Sequence, residues 1–337
     1  MRLDFIRPLY ERPGPYASVY MSALTPRDRA TRWTSLRDEL ERAGGTASEA
    51  LREEVLSPGP GRAVFAAHGD VVLSELMSDV PRPLAAFTPL PLVTPMLMQR
   101  RETVPHLRVI IDHAGADVAV YRDGGSPRTM TVAAEEWPLQ KTAQGGFSQG
   151  RYERAVEETW EKNAVAVAQQ VDEQVRRIDA QLVLVAGEPQ SRSMLCDHLG
   201  TRSTDRLQMV EHGHRNGTGG FEQDVETALD SWLDDRRAEL LERHGEQDGP
   251  SGVAHVARAL REGRVRALLM PGELPRQVWI GEGATQVSPD AGELRTWGVE
   301  QPVQERADSA LIRAAAATDA EIWFTDQVAD VAAVLRY

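Results

Sequence analysis

The chain has 337 residues, 41% hydrophobic and 26% charged, a globular composition too long for one ordinary core and sufficient for two or three domains of about 100–150 residues. A formal net charge of −13 excludes indiscriminate nucleic-acid binding, because a polyanion repels an acidic surface over about a Debye length; any RNA contact is confined to local basic patches. The opening MRLDFIRPLYERPGPY has no apolar core, and no run approaches the roughly 18 apolar residues that span a bilayer. A cytoplasmic protein with no membrane partner is expected. Cys196 is the only cysteine, so neither an intramolecular disulfide nor a multi-cysteine zinc site can form.

In chain order, Ala17–Met21 reads as a short strand, and Pro26 opens a helix with Trp33, Leu36 and Leu40 at helical spacing, ended by Gly44-Gly45. A second helix is expected around Ala47–Leu56, then a turn at SPGPG and an extended segment at Ala63–Ala67. PRPLAAFTPLPLVTP is too proline-rich for a helix and reads as an edge or crossing segment. LRVIIDHAGADVAVYRDGG reads as a hairpin turning at His113-Ala114-Gly115-Ala116. Beyond Gly150, Tyr152, Val156, Trp160, Ala164, Val167, Val171, Val175 and Ile178 recur every three or four residues and predict one long amphipathic helix. Leu182–Ala186 is an apolar strand, followed by a helix ended at Gly200. After the loop His212–Gly220 and an acidic helix, Val253–Met270 reads as helix, Gly263 and strand, and a helix followed by an apolar strand recurs at Ala310–Thr325. The reading is α/β, in three small α/β domains: residues 1–136, 137–247 and 248–337.

The segment with most chemical content is KTAQGGFSQGRYER, residues 141–154, where glycines, amides and cations precede the long helix. Glycines allow close backbone approach, and a helix N-terminus offers free N–H groups to phosphate. RNA contact and a plain linker leading into a helix are both open readings of this composition. His212 and His214 with Glu211 and Asp224 offer metal-ligand types but more simply make a solvated loop. The glycines at 217–220 lack the Lys-[Ser/Thr] of a P-loop. Asp112-His113 has no serine or cysteine partner in sight. No cofactor and no metal is expected.

The pattern K-x-x-x-G-G-x-S-Q-x-R-x-x-R ahead of a long helix resembles the Gly-Gly-Gln loop of the archaeal and eukaryotic class I release factors, with Phe147-Ser148 inserted before Gln149. RVIIDHAGADVAVYRDG and VARALREGRVRALLMPGE resemble first- and third-domain segments of the same lineage. The chain is therefore similar to the bacterial archaeo-eukaryotic release factor-like family, in the Pelota and class I release factor lineage, and to its actinobacterial branch near the ribosome hibernation factor Balon. That resemblance implies the release factor/Pelota domain arrangement and a ribosome-binding translation factor in the A site of the 70S ribosome. Elongation factor Tu and peptidyl-tRNA are its further candidate partners. It assigns Gln149 as the candidate catalytic amide, and Lys141, Gly145, Gly146, Ser148, Arg151 and Arg154 as candidate rRNA contacts. Two functional readings stay open within it: an occluding hibernation or protection factor without catalysis, and a peptidyl-tRNA hydrolase or rescue factor using Gly146-x-x-Gln149. A third, outside translation, is a small-molecule α/β enzyme.

Overall fold

The computed structural model describes residues 1–78, 80, 82–100, 102, 104–122, 126–133, 149–215, 217 and 219–337, with the backbone alone at residue 133 and residues 149–157. Two compact units emerge: Met1–Arg101 together with Arg236–Tyr337, and Glu102–Asp235.

A 3-10 helix, Asp4–Tyr10, opens the first unit. Strand β1 (Tyr16–Met21) is buried throughout, because both faces of its sheet are covered. Helix α1 (Pro26–Arg42) starts as its sequence demands, with Pro26 in the first turn and the Thr25 side chain accepting from the Asp28 backbone N–H. Helix α2 (Glu49–Leu56) is capped the same way by Ser48. Strands β2 (Gly61–Ala67), β3 (Asp70–Met77) and β4 (Leu84–Thr88) complete an antiparallel sheet in the order β3-β2-β1-β4. The proline-rich segment supplies its edge at β4, followed by the short helix α3 (Thr94–Gln99). Alternation divides β1 between two cores. Ala17, Val19 and Met21 meet Trp33, Leu36 and Leu40 of α1, while Tyr16 and Tyr20 face the opposite core.

The second unit is a five-stranded sheet, β7-β6-β5-β8-β9. The hairpin β5 (His106–Asp112) and β6 (Gly115–Tyr121) leads to β7 (Arg128–Ala133). Helix α4 (Gln149–Ile178) then crosses back to β8 (Leu182–Gly187), which lies parallel to β5. Helices α5 (Pro189–His198) and α6 (Thr201–Thr204) carry the chain to β9 (Leu207–Met209), parallel to β8. Val183 and Val185 face Val167, Val171 and Val175 of α4. Leu182, Leu184 and Ala186 face Phe221, Val225 and Ala228 of α7 (Phe221–Glu246). Burial on both faces explains the unbroken apolar run of β8.

The boundary between the units falls within α7, whose remaining turns return the chain to the first unit. There α8 (Val253–Arg261), β10 (Val265–Met270), β11 (Gln277–Ile280), β12 (Val287–Ser288), α9 (Ala291–Thr296), β13 (Val303–Arg306), α10 (Ala307–Ala317), β14 (Glu321–Phe324) and β15 (Ala332–Leu335) follow. They make two small sheets, β14-β10-β15 and β12-β11-β13. α10 is buried over most of its length, and its alanines share one core with Tyr16, Tyr20 and Phe65 of the first sheet.

The sequence divides the chain at 136/137 and 247/248; contacts divide it at 101/102 and 235/236. The physical reason is strand pairing. The hairpin at 106–121 bonds through β5 to β8, some 75 residues on in the register His106 to Leu182, and so shares the sheet of the middle segment. The first and last segments share a core and form one unit.

Candidate functional site

The strands β5, β8 and β9 run parallel, and their carboxyl ends lie on one edge of the second unit, the edge where open α/β sheets bind ligands. Three loops meet there. In the β5–β6 turn, the Ala114 N–H donates to Asp112 Oδ1 at 2.8 Å. Arg215 reaches in from the β9–α7 loop, donating from Nη1 to Asp112 Oδ1 at 3.0 Å and from Nε to Asp117 Oδ2 at 3.2 Å. Partial burial works against the Arg215 charge, but the hydrogen bonds it donates to Asp117 and Asp112 outweigh it and hold the guanidinium above its ordinary pKa. The loop is held a second time where the His212 backbone N–H donates to Asp224 Oδ2 at 2.8 Å, which keeps the Asp224 carboxyl below the usual carboxylate range. His212 Nδ1 contacts the same carboxylate at 3.1 Å. His214 forms a backbone bridge to Gly217, so the two histidines of this loop serve its own geometry. Among the described residues no group of three or more His, Cys, Asp or Glu is placed to hold a metal ion.

The third loop leads from β8 into α5. Gly187 has φ +123°, and a Cβ there would lie 1.8 Å from the Ile111 carbonyl oxygen, so only glycine lets β8 approach β5 this closely. The next residue, Glu188, is the N-cap residue of α5, and its side chain makes no capping hydrogen bond. His113 Nδ1 lies 3.3 Å from Glu188 Oε2, and its ring is tilted against Trp160 of α4 at 5.8 Å. With Asp112, Asp117, Glu188 and Asp224 all here, this edge is acidic and ill suited to an anionic small molecule.

What rises above the edge is α4. Its end is fixed at the amino end of β5, where the Gln181 N–H donates to the Pro105 carbonyl oxygen at 2.7 Å. Asn163 marks the other end of the strand, its Nδ2 donating to the His113 carbonyl oxygen at 3.0 Å. The buried residues of the helix run from Ala164 to Val175. A 30-residue helix is about 45 Å long, whereas a seven-residue strand covers about 23 Å. The first turns of α4 therefore overhang the carboxyl edge, with Gln149 about 16 Å along the axis from Trp160.

Of the residues expected to act, Gln149, Arg151 and Arg154 fall in the opening turns of this overhang, where the backbone alone is described. Helix α4 begins at Gln149, which is thus helical rather than part of the preceding loop. Lys141, Gly145, Gly146 and Ser148 lie outside the described residues. Nothing in the sequence singles out Arg215 and Asp117, and Asp112 stands out only beside His113, not as a partner of Arg215. Their separation of about a hundred residues leaves no local signal, although an arginine within a glycine-rich loop after a strand was there to be noticed.

Residues 105–250 match the sequence model of bacterial archaeo-eukaryotic release factor family 2. This segment is similar to that release factor family. It takes in the whole five-stranded sheet from β5, the overhanging α4 and the turns of α7. Along its full length the chain is similar to an uncharacterized protein of Mycobacterium tuberculosis, seen in two strains, at 28% identity over 366 residues, covering 100% of this chain and 97% of that protein. Among solved structures it is similar to the archaeal translation termination factor aRF1, at 14% identity, 98% and 96% coverage and a TM-score of 0.29. It is also similar to Saccharomyces cerevisiae Dom34, a translation termination-like factor, at 11% identity, 82% and 80% coverage and a TM-score of 0.39. A third is Archaeoglobus fulgidus Pelota, at 14% identity, 82% and 79% coverage and a TM-score of 0.29. No helix among the described residues is long and apolar enough to cross a membrane.

Proposed function

We propose that the protein is a cytoplasmic ribosome-binding translation factor that occupies the A site of the 70S ribosome as a hibernation or protection factor, without catalysis. The observation that carries this reading is the conjunction, in one segment similar to that release factor family, of a long helix overhanging its sheet and the stretch Lys141–Arg154 running into the helix start. Cations in the stretch that leads into α4, on an otherwise acidic segment, suit a site walled by rRNA: in this reading Lys141, Arg151 and Arg154 neutralise phosphates. The three-domain division at 136/137 and 247/248 belongs to the same reading, with the last domain available to elongation factor Tu.

The occluding role is favoured over hydrolysis by Phe147 and Ser148. In the sequence they separate the glycine pair from Gln149 and add bulk beside the glycines, and Gln149 is the first residue of α4. Ester hydrolysis of peptidyl-tRNA requires an amide that orients water against the ester carbonyl. A second reading, a peptidyl-tRNA hydrolase using Gln149, differs in one measurement. Single-turnover peptide release from 70S complexes carrying peptidyl-tRNA should equal the factor-free rate, with Gln149→Ala changing nothing. Release by the wild type that Gln149→Ala lowers by one or two orders of magnitude, roughly the worth of one transition-state hydrogen bond, would replace the occluding factor with the hydrolase.

A further inference from the structure

The first unit contains a cleft of about 1140 Å³, walled on one side by the chain around Tyr10–Tyr16 and Pro89-Leu90 and on the other by the loops flanking β11 and β13. It lies outside the release factor segment. Two features of the cleft pull in different chemical directions. At the floor, Arg313 of α10 is 7% exposed, with Nη1 donating to the Gly281 carbonyl oxygen at 3.1 Å and Nη2 to that of Gly283 at 3.2 Å. Its Nε is buried and makes no hydrogen bond, and neither does the buried hydroxyl of Tyr10, which also lines the cleft. Buried donors without acceptors are rare in folded proteins. Glu305, 2% exposed, is turned to the backbone instead, its carboxylate accepting from the Leu90 and Arg306 N–H groups, both at 2.7 Å.

The rim has the opposite character. Glu11, Glu282 and Glu300 are exposed, and none of them makes an ion pair or hydrogen bond among the described residues. The one arginine at the rim, Arg12, is engaged by Asp70 at 3.3 Å. Phosphates and carboxylates would meet three unopposed negative charges before reaching Arg313, whereas a neutral carbonyl oxygen satisfies the floor donors without that penalty. Apolar surface lies between floor and rim, with Val303 46% exposed on β13. β13 is an edge strand of its sheet, and among the described residues one side of it pairs with no other strand.

We propose that this cleft docks an extended, lysine- or arginine-rich segment of a partner protein. Main-chain carbonyls of the segment accept from Arg313 and Tyr10, its apolar side chains rest against Val303, and its cations pair with Glu11, Glu282 and Glu300. An extended peptide beside an open strand edge draws its affinity from main-chain hydrogen bonds and its specificity from alternate side chains. The proposal stands apart from the ribosomal reading, which rests on the other unit.

The test uses the full chain and a fluorescein-labelled dodecapeptide of alternating lysine and valine, with an alternating glutamate and valine peptide for comparison, read by fluorescence anisotropy. The lysine peptide should bind and the glutamate peptide should not. Glu282→Lys combined with Glu300→Lys should weaken binding at least about tenfold, and Val303→Ser, which removes the apolar contact without adding charge, should weaken it as well. Glu39→Lys with Glu53→Lys, a change of equal charge at exposed positions of α1 and α2, should bind as wild type does. All these side chains are exposed, so unchanged melting curves are expected throughout. The proposal is overturned if the wild type does not bind the lysine peptide, if the glutamate peptide binds more tightly, or if the control pair weakens binding as much as the rim pair.

Discussion

His106 should make the second unit lose stability as pH falls. It opens β5 and is 5% exposed, its ring stacked on Tyr121 at 4.4 Å and 8°. Arg108 Nε donates to its Nε2 at 3.0 Å. Because guanidinium can only donate, Nε2 is the unprotonated nitrogen, and the proton sits on Nδ1, donated to the Val104 carbonyl oxygen at 2.8 Å. A second proton would set two donors and two positive charges against each other in a buried place. Burial, with the Arg108 charge adding to it, pushes the imidazole from 6.5 down to about 4. The native state then holds fewer protons than the unfolded chain between pH 6.5 and 4, so stability is complete above that window and declines as pH falls through it. With those two values the loss is about 2 kcal/mol at pH 5 and about 3 kcal/mol at pH 4. Other groups titrate in the same range, so the quantity to read is the difference between wild type and His106→Gln. Hydrogen exchange of the β5 and β8 amides at pH 7 and pH 5, corrected for intrinsic rates, gives the local unfolding free energy. The wild type should lose about 2 kcal/mol more than the variant between the two values. Equal losses would show that His106 protonates without cost and refute the neutral, buried assignment.

Two further substitutions probe the packing on which the account depends. Asp308, fully buried at the start of α10, is held by Arg306 at 2.8 and 3.0 Å, with the Leu274 and Ser309 backbone N–H groups beside it; Arg306→Ala leaves its carboxylate uncompensated and should cost about 3–5 kcal/mol in denaturant unfolding of the first unit. In α4, Val171→Ala should lower the unfolding free energy of the sheet by about 2 kcal/mol, since Val171 is fully buried, whereas Glu158→Gly in the overhang should leave the exchange protection of β8 unchanged.

The local half of the fold could be read from the sequence, and the half made by long-range pairing could not. Trp33, Leu36 and Leu40 announce α1 by spacing, and Thr25-Pro26 announces its start. The unbroken apolar run of β8 announces a doubly covered strand. Strands β11, β12 and β13, of two to four residues, carry too few side chains for a period to show. The place of the hairpin at 106–121 depends on which strand β5 pairs with, and nothing in LRVIIDHAG specifies that. Likewise Arg215, Asp112 and Asp117 meet across about a hundred residues. The resemblance carried on residues 141–154 agrees with the family whose model residues 105–250 match, because so many glycines and cations ahead of a helical period form a local sequence pattern that is legible without tertiary information.

The most direct test of the central claim is sedimentation of the protein with 70S ribosomes on a sucrose gradient, for wild type and for Arg151→Ala combined with Arg154→Ala. Both arginines fall in the overhanging turns of α4, so the double variant should fold as wild type does. Wild type should co-migrate with 70S particles, more weakly as salt rises with a slope set by a handful of phosphates, and the double variant should be displaced toward the top of the gradient. Wild type that stays at the top at low salt would contradict the ribosomal reading, and a double variant that co-migrates as wild type does would remove this helix start from the interface.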